Sequence, residues 1–263
     1  MKRLYWRVMY SLRRRIRPGT NCRLVLIFSA YISFLLHLVS MPATPFAALF
    51  DMDGVLVDNT DYHINAWIKF ADNHGYKLSK EQYVENINGR VSADAMAYLF
   101  QRAIQADELD LFTEAKEGTY RELYKPYLAA TPGLVEFLEA LKADNVRMAV
   151  GTSAPVSNLG FTLDGLTIRS YFDAIVDSSM VKHGKPNPEI YLTAAERVGV
   201  EPARCIVFED ALAGIEAGVR AGMVVVALAT THTHDELATT GASLIIDDFT
   251  GLAVDTIRKL IEP

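Results

Sequence analysis

The chain has 263 residues, 50% of them hydrophobic and 22% charged, a composition that can bury a sizeable core as one large domain or one domain with an insertion. Its formal charge of −6 conceals an asymmetry: residues 1–40 hold eight Lys/Arg and no acid, so the remainder carries 18 basic against 32 acidic side chains, or −14. A body this acidic repels a nucleic-acid backbone, and the two distant cysteines, Cys22 and Cys205, exclude a disulfide framework and a cysteine zinc site.

The first forty residues stand apart. A basic stretch precedes Leu24 to Ser40, LVLIFSAYISFLLHLVS, which is marginal in length for a membrane span and long for a signal-peptide core. Two readings fit. Either residues 24–40 insert and anchor the protein, with residues 1–23 kept in the cytoplasm by their positive charge, or the segment precedes the true start at Met41 and the protein is cytoplasmic. Cysteine usage fits the reducing compartment.

From Phe46 onward, short apolar runs suited to buried parallel strands alternate with amphipathic helical patterns. Strands are expected at Phe46–Phe50, Val146–Val150, Asp173–Val176, Cys205–Phe208, Val224–Leu228 and Leu244–Ile246, with helices at Leu134–Lys142, Pro188–Val198 and Ala211–Ala221. The alternation implies right-handed βαβ units and a doubly wound α/β sheet, a Rossmann-like core over residues 45–60 and 129–263. It breaks between residues 61 and 128, which read as an inserted helical cap returning at the Thr131-Pro132-Gly133 turn.

Ligands of such sheets collect beyond the carboxyl ends of the strands. The first strand ends in Asp51-Met52-Asp53-Gly54, whose two carboxylates at i and i+2 share one side and can divide labour between attack and proton transfer. The second ends in Gly151-Thr152-Ser153, offering a hydroxyl and backbone N–H groups to phosphate oxygens. Lys185 lies in a loop stiffened by Pro186, ahead of a helix that Asn187 caps and Pro188 opens. The fourth end supplies Glu209 and Asp210. Four acids in one crevice raise one another's pKa unless a cation is present, and Mg2+ with oxygen ligands meets that need. The histidines of Thr231-His232-Thr233-His234 read as a solvated loop.

In this order these residues resemble the haloacid dehalogenase superfamily of phosphohydrolases, β-phosphoglucomutase-like subgroup, from Phe46 to the C-terminus. The resemblance implies that Asp51 is phosphorylated, that Asp53 is the general acid and base, and that Thr152 and Lys185 bind phosphate. It places Mg2+ on Asp51, the Asp53 main-chain carbonyl and Asp210, with Glu209 beside it. The true dehalogenases lack the second aspartate, so Asp53 argues against their chemistry. In the insertion, His63 in Tyr62-His63-Ile64-Asn65 resembles the mutase substrate-sensing histidine, and Lys116 matches a cap lysine of mutases and phosphatases alike. Arg90, in Asn88-Gly89-Arg90, is placed to grip a distal phosphate, whereas the mutase arginine falls where this chain has Ser92. The expectation is a monomeric phosphatase of a small phosphorylated metabolite, a sugar phosphate. β-Phosphoglucomutase is the alternative, and an idle binding module, which would have lost a reacting carboxylate, the second.

Overall fold

The computed structural model describes residues 45–88, 90 and 92–262. The membrane-anchor and upstream-start readings concern residues that lie outside the described ones. Among the described residues no helix is long and apolar enough to cross a membrane.

The apolar runs form six strands: β1 (Ala47–Phe50), β2 (Arg147–Gly151), β3 (Ala174–Val176), β4 (Cys205–Glu209), β5 (Val224–Leu228) and β6 (Leu244–Ile246). They pair in parallel in the order β3-β2-β1-β4-β5-β6, so the chain reverses direction of growth at β1, in the middle of the sheet. Alternation along each strand sends Ala48, Phe50, Met148, Val150, Ile206 and Phe208 to one face. There they meet α5 (Leu134–Ala143) and α10 (Val254–Ile261). Ala47, Leu49, Ala149, Cys205 and Val207 face the other way, against α7 (Glu189–Val198) and α8 (Leu212–Arg220). Covering both faces is what lets parallel strands be apolar throughout, which the sequence pattern required.

All six expected strands are present, with one consequential difference. The ladder does not stop at Phe208: Glu209 pairs with Ala227 and is the last residue of β4. Its side chain therefore shares the parity of Cys205 and Val207 and turns under α7 and α8. The helix expected from Pro188 begins at Glu189, although Pro188 already has helical dihedrals (φ −72°, ψ −4°) and Asn187 Oδ1 accepts the Glu189 N–H at 3.0 Å. The capping reading holds with the boundary moved by one residue.

Between β1 and β2 the chain forms α1 (Thr60–Asn73), α2 (Lys80–Asn86), α3 (Ser92–Phe100) and α4 (Ala106–Tyr124). A reciprocal capping box between Ser79 and Gln82 starts α2. These helices enclose an apolar cluster of their own around Ile64, Trp67, Phe70, Met96 and Leu99. After β2 comes the single-turn α6 (Val156–Leu159), and α9 (His234–Leu237) follows β5.

Candidate active site

Asp51 follows β1 directly, and its N–H donates to the Phe208 carbonyl at 3.0 Å, so the strand's pairing with β4 fixes the residue that leaves the sheet. The loop beyond is stitched to the core: Thr131 Oγ1 donates to the Val55 carbonyl at 2.7 Å and Thr230 Oγ1 to the Gly54 carbonyl at 2.6 Å. Gly54 has φ +75°, and a Cβ there would stand 2.1 Å from Asp210 Oδ2. Only glycine gives both the left-handed turn and room for that carboxylate.

Asp51 is buried beside Lys185, whose Nζ lies 3.1 Å from Asp51 Oδ1 and 2.5 Å from Glu209 Oε1. Burial drives the Asp51 carboxyl up to about 7 against the pull of Lys185, with Glu209 and Asp53 adding to the rise. Burial alone would lower the Lys185 ammonium, but Asp51 and Glu209 override it and hold the lysine protonated above its ordinary range. Asp210 is raised well above the usual carboxylate range by burial and then by Glu209 and Asp51.

Glu209 is fully buried, and both its oxygens are committed. Oε1 accepts from Lys185 Nζ and from Tyr191 OH at 2.8 Å; Oε2 accepts from the N–H groups of Asp210 and Ala211 at 2.8 and 2.9 Å. A Cβ on Gly214 would fall 1.6 Å from Oε1, so a glycine on α8 makes the space. Glu209, which the sequence reading grouped with the metal carboxylates, lies among them and is at the same time the counter-charge of Lys185.

Asp51, Glu209 and Asp210 each bring a carboxylate oxygen within 4.8 Å of the others. Three acids against one buried lysine leave excess negative charge in a low-dielectric crevice, and oxygen donors in this number suit a hard divalent cation such as Mg2+. The donor set therefore fits a metal.

Asp53 points elsewhere. Its Oδ1 accepts from Asn59 Nδ2 at 2.6 Å and lies 3.5 Å from His63 Nε2. Burial would raise its carboxyl, but His63 and the Asn59 amide hold it below the usual range. Asn59 also takes the Gly54 N–H on Oδ1 at 3.0 Å and donates to Tyr120 OH at 2.6 Å. Behind Asp53, His63 stacks on Tyr120 with centroids 3.8 Å apart, and its Nδ1 lies 3.0 Å from Lys116 Nζ. An ammonium only donates, so this contact seats Nδ1 as the acceptor and leaves Nε2 as the ring nitrogen facing Asp53. Buried Lys116 also donates to Glu117 Oε1 at 2.7 Å, and Glu117 Oε2 accepts from buried Asn158 Nδ2 at 2.8 Å.

Thr152 is buried with its N–H on the Val176 carbonyl, and its hydroxyl accepts the Ala154 N–H at 3.0 Å, bending the chain so that residues 152–154 line the cleft. The Ser153 N–H meets no acceptor among the described residues. The cleft thus gathers Asp51, Asp53, Thr152, Ser153, Glu209 and Asp210 from the strand ends and Lys185 from its loop, with His63 and Lys116 from α1 and α4 and Arg90 from the bend between α2 and α3. Arg90 is exposed at its edge, and Ser92 also lines it.

Sequence reasoning missed Asn59, Tyr120, Tyr191, Asn158 and Thr231. Asn59 occupies the N-cap position of α1 and would pass for a cap, yet its side chain makes no cap bond because the acid loop holds it. That misfit shows only in the structure, so the sequence alone held no signal for Asn59.

The sequence profile described as haloacid dehalogenase-like hydrolase matches residues 47–222. The chain belongs to this family. Over 177 residues, 67% of this chain and 82% of the relative, it is 33% identical to the phosphorylated carbohydrates phosphatase of Thermotoga maritima. It is likewise 33% identical to the fructose-1-phosphate phosphatase of Escherichia coli K12, over 66% of this chain and 92% of that one. The crystal structure of β-phosphoglucomutase from Clostridium difficile superposes with a TM-score of 0.74 at 27% identity, covering 83% of this chain and 98% of that one. As a haloacid dehalogenase-like hydrolase with phosphatase and phosphoglucomutase homologues on the same doubly wound α/β fold, the protein is a phosphoryl-transfer enzyme, and the idle-module alternative falls.

Proposed function

We propose that the protein is a Mg2+-dependent phosphatase of a small sugar phosphate, working through an aspartyl-phosphate on Asp51. The observation that carries this reading is the position of Asp51: it directly follows the central strand β1, 3.1 Å from Lys185 Nζ, with Asp53 two residues on and held by a separate set of partners.

Asp51 Oδ attacks phosphorus as the bond from phosphorus to the substrate oxygen breaks, and Asp53 delivers its proton to that oxygen. Asp53, now a carboxylate, takes a proton from water as the water attacks phosphorus, releasing phosphate and restoring Asp51. The His63 and Asn59 contacts that depress Asp53 favour this base half of the cycle. An anionic phosphate arriving beside it raises its pKa and favours the acid half. Lys185, the Thr152 hydroxyl and the Ser153 N–H stabilise the equatorial oxygens. Asp51, Asp210 and the Asp53 carbonyl would hold Mg2+, which supplies further neutralisation of charge on the transferring group. His63 and Lys116 keep Asp53 oriented, and Arg90 at the cleft edge contacts the remainder of the substrate.

The phosphatase relatives favour water as the acceptor, as does Ser92 at the mutase arginine's position. Phosphorus NMR of the full chain with Mg2+ and β-glucose 1-phosphate, primed with glucose 1,6-bisphosphate, separates the two acceptors. Inorganic phosphate is the expected product; accumulation of glucose 6-phosphate without phosphate release would replace the phosphatase reading by the mutase one.

A further inference from the structure

We propose that Thr231 and Thr60 are positioning residues for the cation carboxylate Asp210, a role that rests on the metal reading above. Thr231 Oγ1 hydrogen-bonds Asp210 Oδ2, and Thr60 Oγ1 lies 2.8 Å from Thr231 Oγ1. A carboxylate that ligates a cation is ionised and can only accept, so Thr231 spends its single proton on Asp210. The second contact therefore takes its proton from Thr60. The relay runs Thr60 to Thr231 to Asp210, from the first residue of α1 through the loop after β5 to the end of β4.

The neighbouring residue works on the opposite wall. Thr230 Oγ1 holds the Gly54 carbonyl at 2.6 Å, and Gly54 is the residue whose missing Cβ leaves Asp210 its place. Two consecutive hydroxyls thus set the spacing between the turn that carries Asp53 and the carboxylate of Asp210. The far oxygen of Asp210 gains no other side-chain donor among the described residues. Orientation of this carboxylate consequently depends on Thr231, and partners of this kind govern metal affinity by roughly ten- to a hundred-fold.

The test is titration of the full-length protein with Mn2+, followed by electron paramagnetic resonance of the free ion, with circular dichroism to verify folding. Thr231→Val, which keeps shape and removes the proton, is expected to raise the Mn2+ Kd by about ten-fold or more, while Thr231→Ser keeps the wild-type value. Thr60→Val weakens binding less, and Thr60→Val with Thr231→Val binds no worse than Thr231→Val alone, because Thr60 acts through Thr231. Wild-type affinity in Thr231→Val, equal loss in Thr231→Ser, or independent losses that multiply in the double variant would each overturn the relay. Absence of Mn2+ binding by the wild type would instead overturn the metal reading on which the relay stands.

Discussion

Asp51 carries two opposite demands, ionisation for attack and burial next to other acids, and its substitution exposes both. Asp51→Asn removes the proposed nucleophile, and turnover in a phosphate-release assay is expected to fall by roughly three orders of magnitude or more. The same change acts on stability. The unfolded carboxyl titrates near 3.8 and the folded one near 7, so between these values the metal-free native state binds more proton than the unfolded state. Stability contributed by this group is therefore lost as pH rises through that window. The metal-free Asp51→Asn protein is expected to melt above the wild type at pH 8 and to show little difference near pH 4. A melting difference independent of pH would contradict the burial of an unwelcome charge. Asp51 and Asp53, the proposed nucleophile and acid-base group, stood out because two acids after an apolar strand have no packing reason to be there. Tyr191 and Asn158 were not: a tyrosine or asparagine in a helical pattern looks like ordinary core or surface until the tertiary contact with Glu209 or Glu117 is known.

At the level of elements, the site's precision comes from the strands under it. Phe50, the last residue of β1, is buried and stacks on Phe208 of β4 at 4.7 Å with rings 8° from parallel, while Phe172 and Phe249 close around it. Phe50→Ala is expected to cost about 3–5 kcal/mol in urea unfolding, and a loss below about 1 kcal/mol would mean that the neighbouring rings collapse into the space. Periodicity revealed all six strands, since a run of apolar residues at strand length between helical patterns allows few other assignments. It could not reveal that β4 extends through Glu209, because a buried glutamate breaks the apolar run that marks a strand; only its four hydrogen-bond donors, drawn from two other elements and the following backbone, make it tolerable there. Nor could it tell that the Thr231 loop turns back to Asp210, because side-chain hydroxyls leave no period in a sequence.

For the molecule as a whole, the excess of buried acid over buried base predicts that a divalent cation stabilises the fold as well as the reaction. Excess chelator is expected to stop turnover, with Mg2+ restoring it, and saturating Mg2+ to raise the melting temperature of the wild type. Full activity in chelator would contradict the metal-dependent reading. The charged groups of the cleft also come from two sets of elements. Asp51, Lys185, Glu209 and the loop bearing Asp53 are fastened by main-chain and threonine bonds to the sheet and its flanking turns. His63, Lys116 and Tyr120 belong to α1 and α4, which enclose their own apolar cluster. A swing of those helices away from the sheet would carry the imidazole off Asp53 and release its carboxyl toward an ordinary affinity for protons, while Asp51 and Lys185 stayed in register. The proton affinity of Asp53 would then report whether the cleft is shut, closure holding its carboxylate ready to take a proton and opening letting it regain one.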